Sequence, residues 1–315
     1  MTAPTTSRNA DPELAGYEAA VTQVRSQVLL YAAAIWANAS LTDATTNFLV
    51  SMFVPAVEAA QLQVASLTSV FLAARTGSEP LPVSPSVTSR RGVPPDVVYS
   101  RPVIAARTAI SQGKPFGAAM DAGFRRLESL AATDVQLAKT FQADRSLQDA
   151  GVTFYRRVPQ GPRTCALCLI ASTRRYRTGN LLDIHPGCNC TVDVLDSDFG
   201  EADDFVINED LLEATHAKVE EFTGLQDRGG RAVDYRKLLI EHEHGELGPV
   251  IAWRGQQFTG PAGIPGTANR RSVFDSASTE LRRRDSLRGP NAPTFVPAAD
   301  GLVDLDAILA SIDDV

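Results

Sequence analysis

The sequence Cys165-Ala-Leu-Cys168, followed by His185-Pro-Gly-Cys188-Asn-Cys190, contains all four cysteines of the chain. A Cys-x-x-Cys turn places two thiolates on one side of a loop, and Zn²⁺ binds such pairs at Zn–S distances of about 2.3 Å. Proline and glycine between His185 and Cys188 are typical of a type II turn, which brings the imidazole close to the thiol. In an extended chain Cys190 lies on the same face as Cys188. Together the two turns predict a metal site.

We predict a structural Zn²⁺ held by four of five candidate ligands: Cys165, Cys168, His185, Cys188 and Cys190. A closed site of this kind stabilises a fold and leaves no position open for catalysis. Three other interpretations compete with it. Unrelated buried cysteines are disfavoured because the chain has no cysteine elsewhere. A pair of disulfides requires an oxidising compartment, and a redox Cys-x-x-Cys is expected beside a βαβ pattern, which we do not find.

The composition is that of an ordinary soluble protein. The chain has 315 residues, 44% of them hydrophobic and 21% charged, which suggests two domains or one domain with long appendages. The net charge of −7 argues against extensive coating of nucleic acid. No apolar signal-peptide core follows Met1, and the apolar runs Val28–Ala39 and Phe48–Val57 are shorter than the roughly 20 residues that span a bilayer. We therefore expect a reducing cytoplasm, which favours metal over disulfides, and no membrane partner.

Residues 1–76 are predicted to form a helical hairpin. Asp11-Pro12 is a candidate helix start, and apolar residues recur at steps of three and four over 13–39. Residues 43–75 predict a second helix, kinked near Pro55. Its predicted core-facing stripe is Phe48, Met52, Leu62, Leu67, Val70 and Phe71. Core packing is the interpretation for both helices.

The predicted fold class is mainly α with a small zinc-pinned β-hairpin. Residues 77–95 are rich in proline and serine and predict a stiff surface linker or a wrapping segment. Residues 96–195 follow as a helical region that carries the cysteines. It is predicted to have helices over 96–111 and 116–149, and strands over 152–158 and 191–195.

The C-terminal third is predicted to be less regular. Acidic residues dominate from Asp193 to Glu221, and we interpret them as a solvated loop and helix. Within 196–253 we expect an acidic loop and short helices, one of them over 233–242. His242 and His244 lack the spacing of a zinc protease and are interpreted as exposed helix-end residues. Residues 254–315 predict a largely disordered tail rich in Arg, Pro and Gly, with a final helix over 302–312.

The order of these elements resembles the MuF-like minor head protein family of tailed bacteriophages, the phage head morphogenesis proteins. The resemblance covers about residues 96–195. It is carried by Tyr155-Arg-Arg-Val158, Cys165-x-x-Cys168, Tyr176, Gly179 and the His185-Pro-x-Cys188-x-Cys190 segment. The chain departs from the family where Asn189 replaces a common arginine. It departs again where Pro162-Arg-Thr164 and Ala171–Tyr176 replace Asp-containing segments.

The resemblance implies a non-enzymatic minor capsid protein that acts in procapsid assembly near the portal and is a candidate for delivery with the DNA. The implied partners are the portal, the major capsid and scaffolding proteins, with packaged DNA as a further candidate contact and no small-molecule substrate. The implied location is the capsid interior, after the host cytoplasm during assembly. The family's Cys/His positions fall on Cys165, Cys168, His185, Cys188 and Cys190.

Two other functions compete with this one. A head maturation protease would use one cysteine as nucleophile and His185 as base, but clustered cysteines predict that every candidate nucleophile is tied up in metal coordination. A zinc-knuckle adaptor would bind nucleic acid, but the acidic run beside the knuckle argues against that contact.

Overall fold

A computed structural model describes ten stretches of the chain. They are residues 11–159, 163–165, 168, 171–179, 181, 188, 190–195, 239–244, 248–253 and 302–304, the stretch at 163–165 and those from 239 onward by backbone alone. Cys168 and Cys188, which matter most for the site, are among the residues described with their side chains.

Four long helices make up most of the described structure. They are α1 (Pro12–Trp36), α2 (Asp43–Thr76), α3 (Pro95–Ser111) and α4 (Phe116–Asp149). The predicted start of α1 is confirmed, because the Asp11 side chain accepts hydrogen bonds from the backbone N–H groups of Glu13 and Leu14. At the other end of the hairpin, Gly77 ends α2 in the left-handed conformation at φ 66°.

The four helices share one core in which α2 and α4 are central, packing against α1, α3 and each other. We call it the helical core. Its fully buried members are the following: Ala32, Leu49, Phe53, Val64, Val103, Ala106, Leu127 and Ala131. The predicted helices 43–75, 96–111 and 116–149 are therefore confirmed, and the helix predicted over 13–39 is confirmed as far as Trp36. The four helices bury their apolar side chains against one another.

The predicted stripe of α2 is correct for Phe71, which is buried, and for Leu67, which packs against the helical core. It is wrong for its other four residues, which are exposed: Phe48, Met52, Leu62 and Val70. Phe48 is 54% exposed and Val70 is 55% exposed, whereas Leu49 and Phe53 are fully buried. Between Asp43 and Arg75 the helix carries a single charged residue, Glu58, so its apolar residues lie on all sides. Among the described residues α2 is also the one helix long and apolar enough to cross a membrane, but core helices share that composition.

The segment 77–95 packs on the helices rather than bridging them freely. A 3₁₀ helix, Pro85–Ser89, contacts α2 and α4, and Val87 within it is fully buried. The Ser69 hydroxyl on α2 donates to the carbonyl of Leu81 at 2.7 Å. Of the two predicted forms, the wrapping segment is the one observed.

A three-stranded antiparallel sheet follows α4. Strand β1 (Phe154–Val158) lies in the centre, between β3 (Arg175–Arg177) and β4 (Thr191–Val194). The sheet packs on the ends of three helices in a second core, which we call the junction core: Leu14, Tyr17, Phe71, Leu72, Ala143, Leu147, Tyr155, Leu181 and Val192. The predicted strands before and after the cysteines are confirmed, and they pair directly with each other.

Two further strand pairs correct the predictions for the C-terminal third. Strand β5 (Leu239–His244) pairs with β6 (Gly248–Trp253), so the predicted helix ending at His242 is wrong over 239–242. His242 and His244 are strand residues, not helix ends. Strand β2 (Arg163–Cys165) pairs with β7 (Leu302–Asp304), so the predicted final helix is wrong over 302–304. The rest of the predicted acidic region and tail lies outside the described residues.

Candidate metal centre

Three cysteine sulfurs meet in the interior beside the sheet. Cys168, Cys188 and Cys190 are 2%, 3% and 4% exposed, and their Sγ atoms all lie within 4.8 Å of one another. We call these residues the sulfur cluster. Among the residues that the structure describes, this is the one group of Cys, His, Asp and Glu side chains with metal-ligand spacing.

The spacing of the sulfurs fits a tetrahedral metal. The Sγ atoms of Cys168 and Cys188 are 3.7 Å apart, too far for the S–S bond of about 2.0 Å in a disulfide. Two thiolates at tetrahedral angles around Zn²⁺, each about 2.3 Å from the ion, would lie about 3.8 Å apart. The backbone N–H of Cys190 donates to the Cys188 sulfur at 3.4 Å, a contact that favours a thiolate there. The donor set therefore fits zinc.

The other two predicted ligands are less fully described. The backbone of Cys165 lies in β2, opposite Leu302 of β7, and its side chain is outside the described residues. His185 lies outside them altogether. The three described sulfurs could fill three tetrahedral positions, and Cys165 and His185 are the candidates for the fourth.

The sulfur cluster is anchored to α4 and β4. The Gln136 side-chain amide on α4 donates to the backbone carbonyl of Cys190 at 2.9 Å. Cys190 directly precedes β4, whose first residue, Thr191, is buried and pairs with Val158 of β1. A bound metal would therefore connect the loop cysteines to both the sheet and the helices.

Three cations interact electrostatically with the sulfur cluster, one each on α1, α4 and β1. Burial lowers the pKa of Lys139 to about 8, against the opposing charges of Cys188 and Cys190. Burial also lowers the pKa of Arg25, and Cys188 opposes that shift. For Arg157 burial acts in the same direction, but the facing tyrosine and cysteine charges outweigh it and its pKa is raised. Sequence reasoning missed these residues because a basic residue in a helix or strand is usually solvated.

The position of Asp193 shows that the interpretation of the acidic run as solvated is wrong for its first residue. Asp193 begins that run, which we expected to be solvated, yet its side chain is fully buried. Arg75 donates from Nε to its Oδ1 and from Nη2 to its Oδ2, each at 2.9 Å, and Arg156 donates to Oδ2 at 2.8 Å. Arg75 also pairs with Asp11 at the start of α1. This network joins α1, α2, β1 and β4, the strand that directly follows Cys190 of the sulfur cluster.

A second buried carboxylate, Asp134, serves the helical body. Its oxygens accept hydrogen bonds from Arg91 and from the Tyr99 hydroxyl. Arg91 also donates to the backbone carbonyl of Leu130 at 3.1 Å. These contacts of Asp134 and Arg91 connect the segment 77–95 to α3 and α4. Their role is therefore structural.

Comparison with known proteins adds no identification, since no family model, curated protein or solved structure matches the chain.

The first prediction concerns the metal content. The full chain, purified under reducing conditions without chelators, should carry about one Zn²⁺ per molecule, because three buried sulfurs within 4.8 Å of one another form a single site. Elemental analysis of the purified protein measures this ratio. Protein that has been chelated and reloaded should return to the same ratio, and a metal-free reduced preparation would contradict the prediction.

Proposed function

We propose that the protein is a minor capsid protein of a tailed phage, acting in head assembly near the portal, and that its cysteines hold a structural zinc. The observation that supports this most is the order of parts. The helical body leads into β1 and the cysteines follow. The last cysteine leads into β4, which pairs with β1. The MuF-like resemblance rests on the same order and on the same cysteines.

The burial of the sulfurs favours a structural role over a protease. A cysteine nucleophile must reach a peptide carbonyl and must be free of other ligands. The sulfurs of Cys168 and Cys188 are buried and 3.7 Å apart, an arrangement suited to sharing one ion. The protein therefore acts as an assembly component, with the zinc fixing the sheet on the helical body.

The second prediction tests the assembly role. In a phage that encodes this chain, purified heads should contain it in fewer copies than the major capsid protein, and quantitative mass spectrometry of heads measures that ratio. A non-structural protein of the same phage serves as the negative control. Absence of the chain from both procapsids and mature heads would contradict the proposal.

The protease alternative makes an opposite prediction in the same particles. If the cysteines were catalytic, a Cys188→Ala phage would accumulate uncleaved head proteins. A structural zinc predicts normal cleavage together with fewer or defective heads.

A further inference from the structure

The sulfur cluster carries more negative charge than one zinc ion neutralises. Three thiolates and one Zn²⁺ sum to −1 with a neutral histidine as fourth ligand, or −2 with a fourth cysteine. Such a charge is costly in a dry interior unless opposite charges lie close by. Cys168, Cys188 and Cys190 are all buried, so water cannot supply that compensation.

Three cations, each on a different element of the fold, interact electrostatically with the cluster. Lys139 on α4 and Arg157 on β1 are each 5% exposed, and Arg25 on α1 is partly buried and interacts with Cys188. Both Lys139 and Arg157 interact electrostatically with Cys188 and Cys190. We call Arg25, Lys139 and Arg157 the cation cluster.

Backbone and side-chain contacts fix the positions of two of these cations. Gln136, which donates to the Cys190 carbonyl, lies one turn before Lys139, so the two residues share a face of α4. Arg157 pairs with Val192 across the sheet, two residues after Cys190. The cations therefore lie on the elements that hold the cysteines in place.

We propose that the cation cluster balances the negative charge of a thiolate–metal centre, and that Lys139 contributes most to this balance. This inference rests on the proposed structural zinc and extends it to the residues that make the site bind tightly. The negative charge of the zinc-bound thiolates stabilises the buried cations, and the cations stabilise the thiolates in return. Metal binding is thereby coupled to α1 and α4 as well as to the sheet.

The coupling gives Lys139 a signature that a merely structural residue lacks. With metal bound, its ammonium group faces a net negative centre and stabilises it. Glu18 on α1 also interacts electrostatically with Lys139. Burying the ammonium group nevertheless costs free energy with or without metal, because the group is removed from water. Lys139→Met should therefore weaken metal binding, yet leave the metal-free protein as stable as the wild type or more so.

The third prediction is tested on the full chain with Zn²⁺ and Co²⁺ as probes. Chelator competition should show a Zn²⁺ affinity about 10-fold to 100-fold lower for Lys139→Met than for the wild type, the usual range for residues that support metal ligands. At saturation the sulfur-to-cobalt absorption should be unchanged, because the ligands are the same. Exposed Lys114 provides the matched control, and Lys114→Met should alter neither affinity nor stability.

Thermal unfolding with and without metal separates the outcomes. An equal drop in unfolding temperature for metal-bound and metal-free Lys139→Met would overturn the inference, because it would make the lysine a structural residue only. An unchanged Zn²⁺ affinity would also overturn it. If Lys139→Met does not fold, Arg25→Met provides the same comparison with a smaller loss of affinity. Failure of the wild type to bind either ion would instead refute the structural zinc itself, and this inference with it.

Discussion

Replacing Cys188 with serine should abolish metal binding and release the sheet from the helical body, while the far end of the helices stays folded. The Cys188 sulfur lies 3.7 Å from that of Cys168 and accepts the N–H of Cys190, so it is central to the cluster. Structural zinc contributes apparent binding free energies of about 10–16 kcal/mol in small sites. A domain's net stability is about 5–15 kcal/mol, so the loss is comparable with the whole stability of the region.

The division between the two cores predicts where the effect stops. The junction core draws on the sheet through Tyr155 and Val192, whereas the helical core contains no sheet residue. Along α4, the amides near Ala143 and Leu147 should therefore exchange faster with solvent in Cys188→Ser, and those near Leu127 should remain protected. Hydrogen exchange with mass spectrometry, read peptide by peptide along α4, measures this gradient.

Chelated wild-type protein is the control for the serine itself. A hydroxyl in a buried sulfur site has its own cost, but chelation removes the metal without changing any side chain. Both samples should show the same gradient along α4 and the same loss of protection in β1 and β4. Full protection of those two strands in metal-free protein would mean that the sheet is held by the junction core alone.

The cysteine cluster was predictable because cysteine is rare and its spacing is informative. The four cysteines fall within two short motifs, and three of them are seen to converge. The helices were predictable from apolar periodicity, and the start of α1 from Asp11. The buried face of α2 was not predictable, because a helix that is apolar on all sides has no preferred face in its sequence. The packing of α1, α3 and α4 decides that Leu49 is buried and Phe48 exposed.

The buried charges could not be predicted from a single sequence. Lys139 lies in a long helix where lysine is ordinarily solvated, and only the fold brings it to the cysteines. Asp193 belongs to an acidic run, and its burial depends on Arg75, which lies more than a hundred residues earlier. The β5–β6 pair was missed for a related reason. Residues 239–244 include two glutamates and two histidines, a polar pattern that did not indicate a strand.

Replacing Asp193 with alanine should cause a large loss of stability, because its carboxylate is fully buried. Its carboxylate accepts from Arg75, from Arg156 and from the backbone N–H of Val194. Removing one partner of a buried ion pair typically costs 3–5 kcal/mol, because the remaining charge is left without compensation. Arg75 and Arg156 are 23% and 22% exposed and keep some contact with water, so we expect about 3 kcal/mol.

Asp43 provides the matched control, because it also pairs with an arginine but lies at the surface. It accepts from Arg107 at 2.7 Å and is 91% exposed, and surface pairs contribute about 1 kcal/mol or less. Denaturant unfolding of metal-saturated Asp193→Ala, Asp43→Ala and wild type measures both free-energy changes on one scale. Equal changes for the two variants would mean that Arg75 and Arg156 find new partners or turn to solvent once Asp193 is gone. A clearly larger loss for Asp193→Ala would identify the buried carboxylate as the link that holds β4, and with it the loop ending at Cys190, against α2.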